Sequence, residues 1–130
     1  MKNLTTFLVI AILLPGCSSF FQKPDSCANY GTPPVNYEEK IKQYFELVLI
    51  DPESARYRFS QPIKAYENEG LISGGKVCWL GYLVETQVNA KNQLGGYVGY
   101  QPYVVLFKSN EIYRVEKRDI AYDTSVHRVD

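Results

Sequence analysis

The segment from Val77 to Asn89 constrains the fold most, because it alternates along its length as one long strand. A second long run, Tyr97 to Lys108, becomes apolar on both faces toward its end. Such a run suits a central strand covered on both sides, or one covered by a helix while its other face holds the segment before the helix or a partner. Alternation in the strand from Val77 to Asn89 places these residues on one face: Cys78, Leu80, Tyr82, Val84, Thr86 and Val88.

An amphipathic helix is predicted from Asn36 to Ile50, where apolar residues recur at intervals of three and four. Asn36 is the expected N-cap, with Glu39 in the capping-box position. Pro52 disfavours helical conformation at the residue before it, so the helix should end near Ile50. Its aromatic stripe is expected to pack on the sheet.

Two shorter strands complete the predicted sheet. After a turn at residues 51–54, the alternation from Tyr57 to Ala65 predicts one strand. Pro62 cannot donate to a ladder, so this strand is expected at an edge. The last strand is expected from Ile112 to Lys117, and the polar residues 119–130 should fray as a tail.

The predicted fold class is α+β, with one N-terminal helix packed on a four-stranded antiparallel sheet in two layers. The globular domain is expected to span residues 36–118. Chain length is sufficient for one domain with a core but not for two.

The N-terminal segment has the layout of a signal peptide, with Lys2 ahead of an apolar run from Leu4 to Leu14. This run has about 11 residues, whereas a spanning helix needs roughly 20. Residues 1–16 are therefore expected to be removed during export.

The tetrapeptide Leu14-Pro15-Gly16-Cys17 resembles the lipobox of bacterial lipoproteins, although Pro15 replaces the usual small residue. The resemblance implies diacylglycerol and acyl chains on Cys17, which give a durable anchor when more than one chain is present. The alternative is conventional cleavage that leaves Cys17 an ordinary cysteine. Ser18 and Ser19 follow without a retention aspartate, so the resemblance implies a lipid-anchored protein of the outer membrane if the cell has two membranes.

Residues 17–35 contain three prolines and Gly31, and they are expected to form a lipidated tether between anchor and domain. Two cysteines remain beyond Cys17. In an oxidising compartment a leftover pair indicates a disulfide between Cys27 and Cys78, which would stabilise the fold by about 4 kcal/mol on the chain-entropy model. A metal site is a poor alternative because the lone His127 lacks grouped ligands, and no cofactor is implied.

Charge excludes one class of partner. The chain has 14 basic and 14 acidic residues, and near neutrality argues against a phosphate-binding surface. Nucleic acid is therefore not expected to bind.

The segment Val88–Tyr103 is the most distinctive stretch, because its glycines permit backbone conformations that other residues resist. Together with the turn residues Asp51, Pro52, Ser54, Ala55 and Tyr57, its VNAKN and GGYVGY motifs resemble small, mostly uncharacterised lipoproteins and prophage-encoded proteins of proteobacteria. The resemblance covers residues 40–108 and implies a fold pattern without an activity. Relatives often carry a cysteine-glycine pair just before the VNAKN motif, whereas Cys78 lies earlier here.

Two interpretations of this hairpin remain open: a recognition loop, in which tyrosines act as rigid anchors, or a structural turn whose tyrosines pack on neighbouring strands. Eleven tyrosines slightly favour an exposed binding surface. The candidate binding residues are Asn89, Lys91, Asn92, Gly95, Gly96, Tyr97, Tyr100 and Tyr103.

The expected function is a membrane-anchored, non-enzymatic binding module for an envelope or phage protein. The alternatives are a lipoprotein inhibitor or phage-exclusion factor and, third, a small enzyme that acts on the cell wall. No catalytic residue is predicted: the acids lie mainly on the helix and in turns, Glu85 alone lies in a long strand, and His127 lies in the expected tail.

Overall fold

The structure is a computed structural model that describes residues 20–118 and 125–129. The predicted signal peptide and Cys17 lie outside the described residues. No helix within the described part is long and apolar enough to cross a membrane. The elements, in chain order, are α1 (Tyr37–Val48), β1 (Asp51–Phe59), β2 (Ile63–Asn68), a short 3-10 helix (Leu71–Ser73), β3 (Val77–Lys91), β4 (Gln101–Lys108), β5 (Glu111–Lys117) and β6 (Val126–Arg128).

The strands form one antiparallel sheet in the order β5-β4-β3-β2-β6, and β1 also pairs with β3. Strand β3 organises this sheet because it is 15 residues long and has partners on both sides. One side pairs with β4, whereas the other pairs with β2 near Val77 and with β1 near Lys91. At about 3.3 Å per residue, β3 extends over about 45 Å from end to end.

The predicted α+β class is confirmed, but the predicted four strands are wrong, since the described residues form six. The expected strand from Tyr57 to Ala65 is divided at Pro62 into β1 and β2. Ser60 bridges this interruption, because its amide donates to the Glu85 carbonyl and its hydroxyl accepts from the Glu85 amide, both at 2.9 Å. Strand β6 lies within the expected tail, where it pairs with β2. Residues 119–124 of that tail lie outside the described residues.

Helix α1 packs on one face of the sheet, as its aromatic stripe predicts. Ile41 and Phe45 are fully buried against a sheet face that includes Tyr82, Val84 and Phe107. Asn36 occupies the predicted N-cap position, but it is left-handed with φ 51° and makes no side-chain cap bond. Its carbonyl instead accepts the Lys40 amide at 3.1 Å.

The predicted turn at residues 51–54 is the irregular start of β1. The Ser54 hydroxyl donates to the Asp51 carbonyl at 2.8 Å, and the strand register shifts between Asp51 and Arg56. The local hydrogen bonds are those of a turn, while the chain already pairs with β3.

The opposite face of the sheet has a second apolar cluster, built by Ala65, Trp79, Leu83, Val104 and Leu106. The Trp79 ring lies over Gly81 and stacks on Tyr113 with centroids 5.8 Å apart. Apolar burial on both faces explains why β4 is apolar on both sides.

The expected tether does not hang free from the domain between residues 20 and 35. Tyr30 is buried in the helix-side core. The Gln22 amide donates to the Gly75 carbonyl at 3.0 Å, and the Val35 amide donates to Oδ1 of Asn110 at 2.8 Å. This segment is therefore part of the folded domain.

The predicted disulfide is not formed in the structure, where Cys27 and Cys78 are free, exposed thiols. Each sulfur has its own polar neighbour: Sγ of Cys78 lies 3.5 Å from the Glu67 carbonyl oxygen, and Sγ of Cys27 lies 3.9 Å from the Ser26 hydroxyl.

Candidate functional site: a tyrosine–cation surface on the β3–β4 hairpin

The hairpin tip is built around Asn92. Its Oδ1 accepts the amides of Leu94 and Gly96 at 3.0 and 3.1 Å, and its own amide donates to the Gly96 carbonyl at 2.9 Å. Gly95 has φ +78°, a conformation that other residues rarely adopt. Asn92 and Gly95 therefore hold the shape of the tip.

A second polar contact holds the returning chain. The Gly99 amide donates to Oδ1 of Asn89 at 3.0 Å, and Gly99 has φ +91°. Gly96 does not have a positive φ, so it lacks the backbone requirement of Gly95 and Gly99. Asn89, like Asn92, uses its side chain to hold the loop.

The predicted tyrosine anchors divide between the two faces of the hairpin. Tyr97 forms an isolated bridge with Lys91, and its hydroxyl donates to the Ser54 carbonyl at 3.0 Å. Tyr103 lies on the helix side, where the centroid of its ring is 4.9 Å from that of the Phe45 ring. Tyr103 therefore packs as the structural interpretation predicts, whereas Tyr97 lies toward the face without the helix.

Three cationic side chains lie over the tyrosines on that face. The Arg58 guanidinium is 3.9 Å from the Tyr100 ring centroid, and the Arg56 guanidinium is 4.7 Å from the Tyr97 centroid. Lys91 Nζ lies 5.6 Å from the Tyr97 ring. We call these five residues, Arg56, Arg58, Lys91, Tyr97 and Tyr100, the tyrosine–cation surface.

The surface is open and has uncompensated charge. Arg56 and Arg58 are exposed, and Tyr97 is 41% exposed. Neither arginine nor Lys91 forms an ion pair with a carboxylate of the described residues. Other arginines differ: Arg118 and Arg128 both pair with Glu85, and Arg114 pairs with Glu67 and Glu116.

Sequence reasoning found Lys91, Tyr97 and Tyr100 but missed Arg56 and Arg58. The signal was present as alternation in Arg56-Tyr57-Arg58-Phe59, which directs two arginines to the face opposite two aromatics. Only the register of β1 on β3, with Arg56 opposite Asn89 and Arg58 opposite Gln87, brings them to the hairpin. That pairing is not readable from a single strand.

The helix side of the hairpin has a shallow apolar groove of about 240 Å³. It lies between the end of α1 and the loop, so the hairpin has one cationic side and one apolar side. The groove is lined by residues that include Val48, Leu49, Ile50, Val98 and Tyr103.

Glu85 and His127, the two residues weighed for catalysis in the sequence, each contact other side chains. Glu85 accepts hydrogen bonds from Arg118 at 2.7 Å and from Arg128, so its carboxylate is held by two guanidinium groups. His127 contacts the rings of Phe21 and Tyr66. No group of three or more potential metal ligands is found in the described part of the chain.

Among known proteins, no family model, no curated protein and no solved structure matches this chain. The resemblance to proteobacterial and prophage lipoproteins stays an expectation from the sequence motifs.

Proposed function

We propose that this chain is an envelope lipoprotein, anchored through lipid on Cys17, that acts as a non-enzymatic binding module through its tyrosine–cation surface. The observation that supports it most is the placement of Arg56, Arg58 and Lys91 over tyrosine rings without a carboxylate partner among the described residues. Exposed cations that are already held in place favour recognition of an external anion.

The partner class proposed is an acidic segment of an envelope or phage protein. A guanidinium can bind a carboxylate through two parallel hydrogen bonds, and an underlying aromatic ring holds its plane in place. Tyrosine and arginine are also the residue types that dominate protein interfaces. Because the whole chain has balanced charge, this attraction is local.

Binding of a labelled poly-L-glutamate peptide to the full lipidated chain in detergent tests the surface. Arg56→Ala with Arg58→Ala should weaken binding at least tenfold, and added salt should weaken the wild-type interaction. Lys76→Ala is the matched control, since Lys76 is exposed near the other end of β3. Equal binding of the peptide by the wild type and the double variant would refute binding through the tyrosine–cation surface.

Lipidation at Cys17 and the membrane location are tested separately. Labelled palmitate should enter the wild-type protein and should be lost with Cys17→Ser, together with membrane partitioning. Label that survives Cys17→Ser would refute lipidation at this cysteine.

An inhibitor or phage-exclusion factor is the second candidate, because the same surface could cover an acidic site on an attacking hydrolase or phage protein. A cell-wall enzyme is the third. Glu85→Ala separates binder from enzyme: a binder retains poly-L-glutamate binding and cellular phenotype, whereas an enzyme that uses Glu85 loses its phenotype while binding persists.

A further inference from the structure

The end of the sheet opposite the hairpin carries exposed apolar side chains. The β2–β3 turn includes Ile72, whose side chain is fully exposed at 104%, and the first described residue, Phe20, is 56% exposed. Phe21 contacts Phe20 edge-to-face at 6.0 Å and is also partly exposed. Single exposed apolar residues are common, but these belong to two chain segments that meet at the same end.

Polar contacts fix the N-terminal segment on this turn. Asn68 Nδ2 donates to the carbonyls of Gln22 and Gly75, each at 2.9 Å. The Gln22 amide donates to the Gly75 carbonyl, and Gly75 is left-handed with φ +63° beneath the phenylalanines. A side chain at Gly75 would meet the Phe20 carbonyl, so the close approach requires glycine.

The distance to the proposed anchor is short. Cys17 stands three positions before Phe20, and three residues span at most about 10 Å when fully extended. A lipid on Cys17 therefore keeps the β2–β3 turn within about 10 Å of the acyl-chain boundary. The hairpin lies at the other end of β3, about 45 Å away.

We infer that Phe20, Phe21 and Ile72 form a membrane-contact surface, so that the domain stands on the bilayer by its β2–β3 turn and presents the tyrosine–cation surface away from it. This inference rests on the proposed lipid anchor. Lipid is the occupant because the acylated residue can reach no other end of the domain.

Tryptophan fluorescence tests this orientation with the full lipidated chain. The chain is reconstituted in vesicles of phosphatidylethanolamine and phosphatidylglycerol, either with ordinary or with brominated acyl chains. Ile72→Trp should be quenched by the brominated lipid. Leu94→Trp, at a 94% exposed position on the hairpin tip, is the matched control and should not be quenched. The native Trp79 is buried and is common to both variants.

The outcomes separate the two proposals. A chain that fails to partition with vesicles refutes the lipid anchor. A chain that partitions with vesicles but shows no quenching at position 72 refutes the orientation alone. Equal quenching at positions 72 and 94 also refutes the orientation, because the domain would then lie flat on the bilayer. Phe20→Trp provides a second reporter at the same end and should behave like Ile72→Trp.

Discussion

At the scale of the residue, Gly81 has no room for a side chain on the sheet face without the helix. A Cβ at this position would overlap the Phe107 carbonyl oxygen and the Trp79 ring. The carbonyl belongs to the β4 backbone, so it cannot move without disturbing the ladder. The Trp79 ring packs in the second apolar cluster and has little freedom.

Gly81→Ala should lower the free energy of unfolding by about 1–3 kcal/mol, the usual cost of overpacking. Gly96→Ala is the control, because a Cβ there meets nothing closer than Asn92 Oδ1 at 3.8 Å, and it should change stability by less than about 0.5 kcal/mol. Urea unfolding followed by Trp79 fluorescence measures both. Equal stability of the two variants would contradict this packing.

The environment of the Cys78 thiol also affects its reactivity. Partial desolvation raises the pKa of the exposed Cys78 thiol, and the Glu67 carboxylate raises it further. A higher pKa lowers the thiolate fraction at a given pH, so alkylation slows. Because Cys78 is exposed, the reagent can still reach it.

Iodoacetamide should modify both Cys27 and Cys78 in the non-reduced protein. The alkylation rate of Cys78 should rise with pH over a higher range in the folded Cys27→Ser variant than in the same variant in urea. Peptide mass spectrometry measures the two rates. Modification that occurs only after reduction would instead reveal the disulfide.

At the scale of elements, α1 packs on the sheet through its two buried side chains, Ile41 and Phe45. Phe45 is 1% exposed and contacts Tyr57 and Tyr103, whereas Leu47 on the same helix is 86% exposed. Hydrophobic burial therefore acts on one stripe of the helix.

Phe45→Ala should lower the free energy of unfolding by about 3–5 kcal/mol, the range for truncating a buried phenylalanine. Leu47→Ala should change it by less than about 0.5 kcal/mol. Denaturant midpoints of the two variants give the comparison. Similar midpoints would mean that the helix is not docked as described.

Periodicity predicted the elements whose pattern is long and regular, namely α1, β3 and β5, and it extended β4 too early by including Tyr97. Periodicity failed where backbone hydrogen bonding determines where a strand begins, ends or pairs. Pro62 divides one apparent strand into β1 and β2, and β6 exists because its short segment pairs with the edge of β2. Such pairing leaves little trace in composition.

The candidate site was predicted in part for a related reason. Turn chemistry identified the hairpin and its glycines, but it did not show that the candidate binding residues Asn89 and Asn92 use Oδ1 to accept amides within the loop. The arginines came from a strand distant in sequence and required the β1–β3 register.

At the scale of the whole molecule, the proposed orientation depends on the short link between Cys17 and Phe20. Insertion of 20 glycine and serine residues after Ser19 would give a flexible span with a root-mean-square length of about 25 Å. Membrane partitioning should persist, because the lipid is retained. Quenching of Ile72→Trp by brominated lipid should fall, and quenching that persists would mean that the apolar end binds lipid without help from the short link.

Under the proposed lipid anchor, the docked segment from Phe20 to Val35 would also govern how often the tyrosine–cation surface meets a partner. A binding site carried at one height above a bilayer samples a thin layer, so its effective concentration is high for partners fixed in that layer and low for partners elsewhere. A long flexible tether would spread the same molecules through a deeper volume. With the short, docked segment, selectivity would arise from the fixed height of the binding site above the bilayer as well as from its contact chemistry.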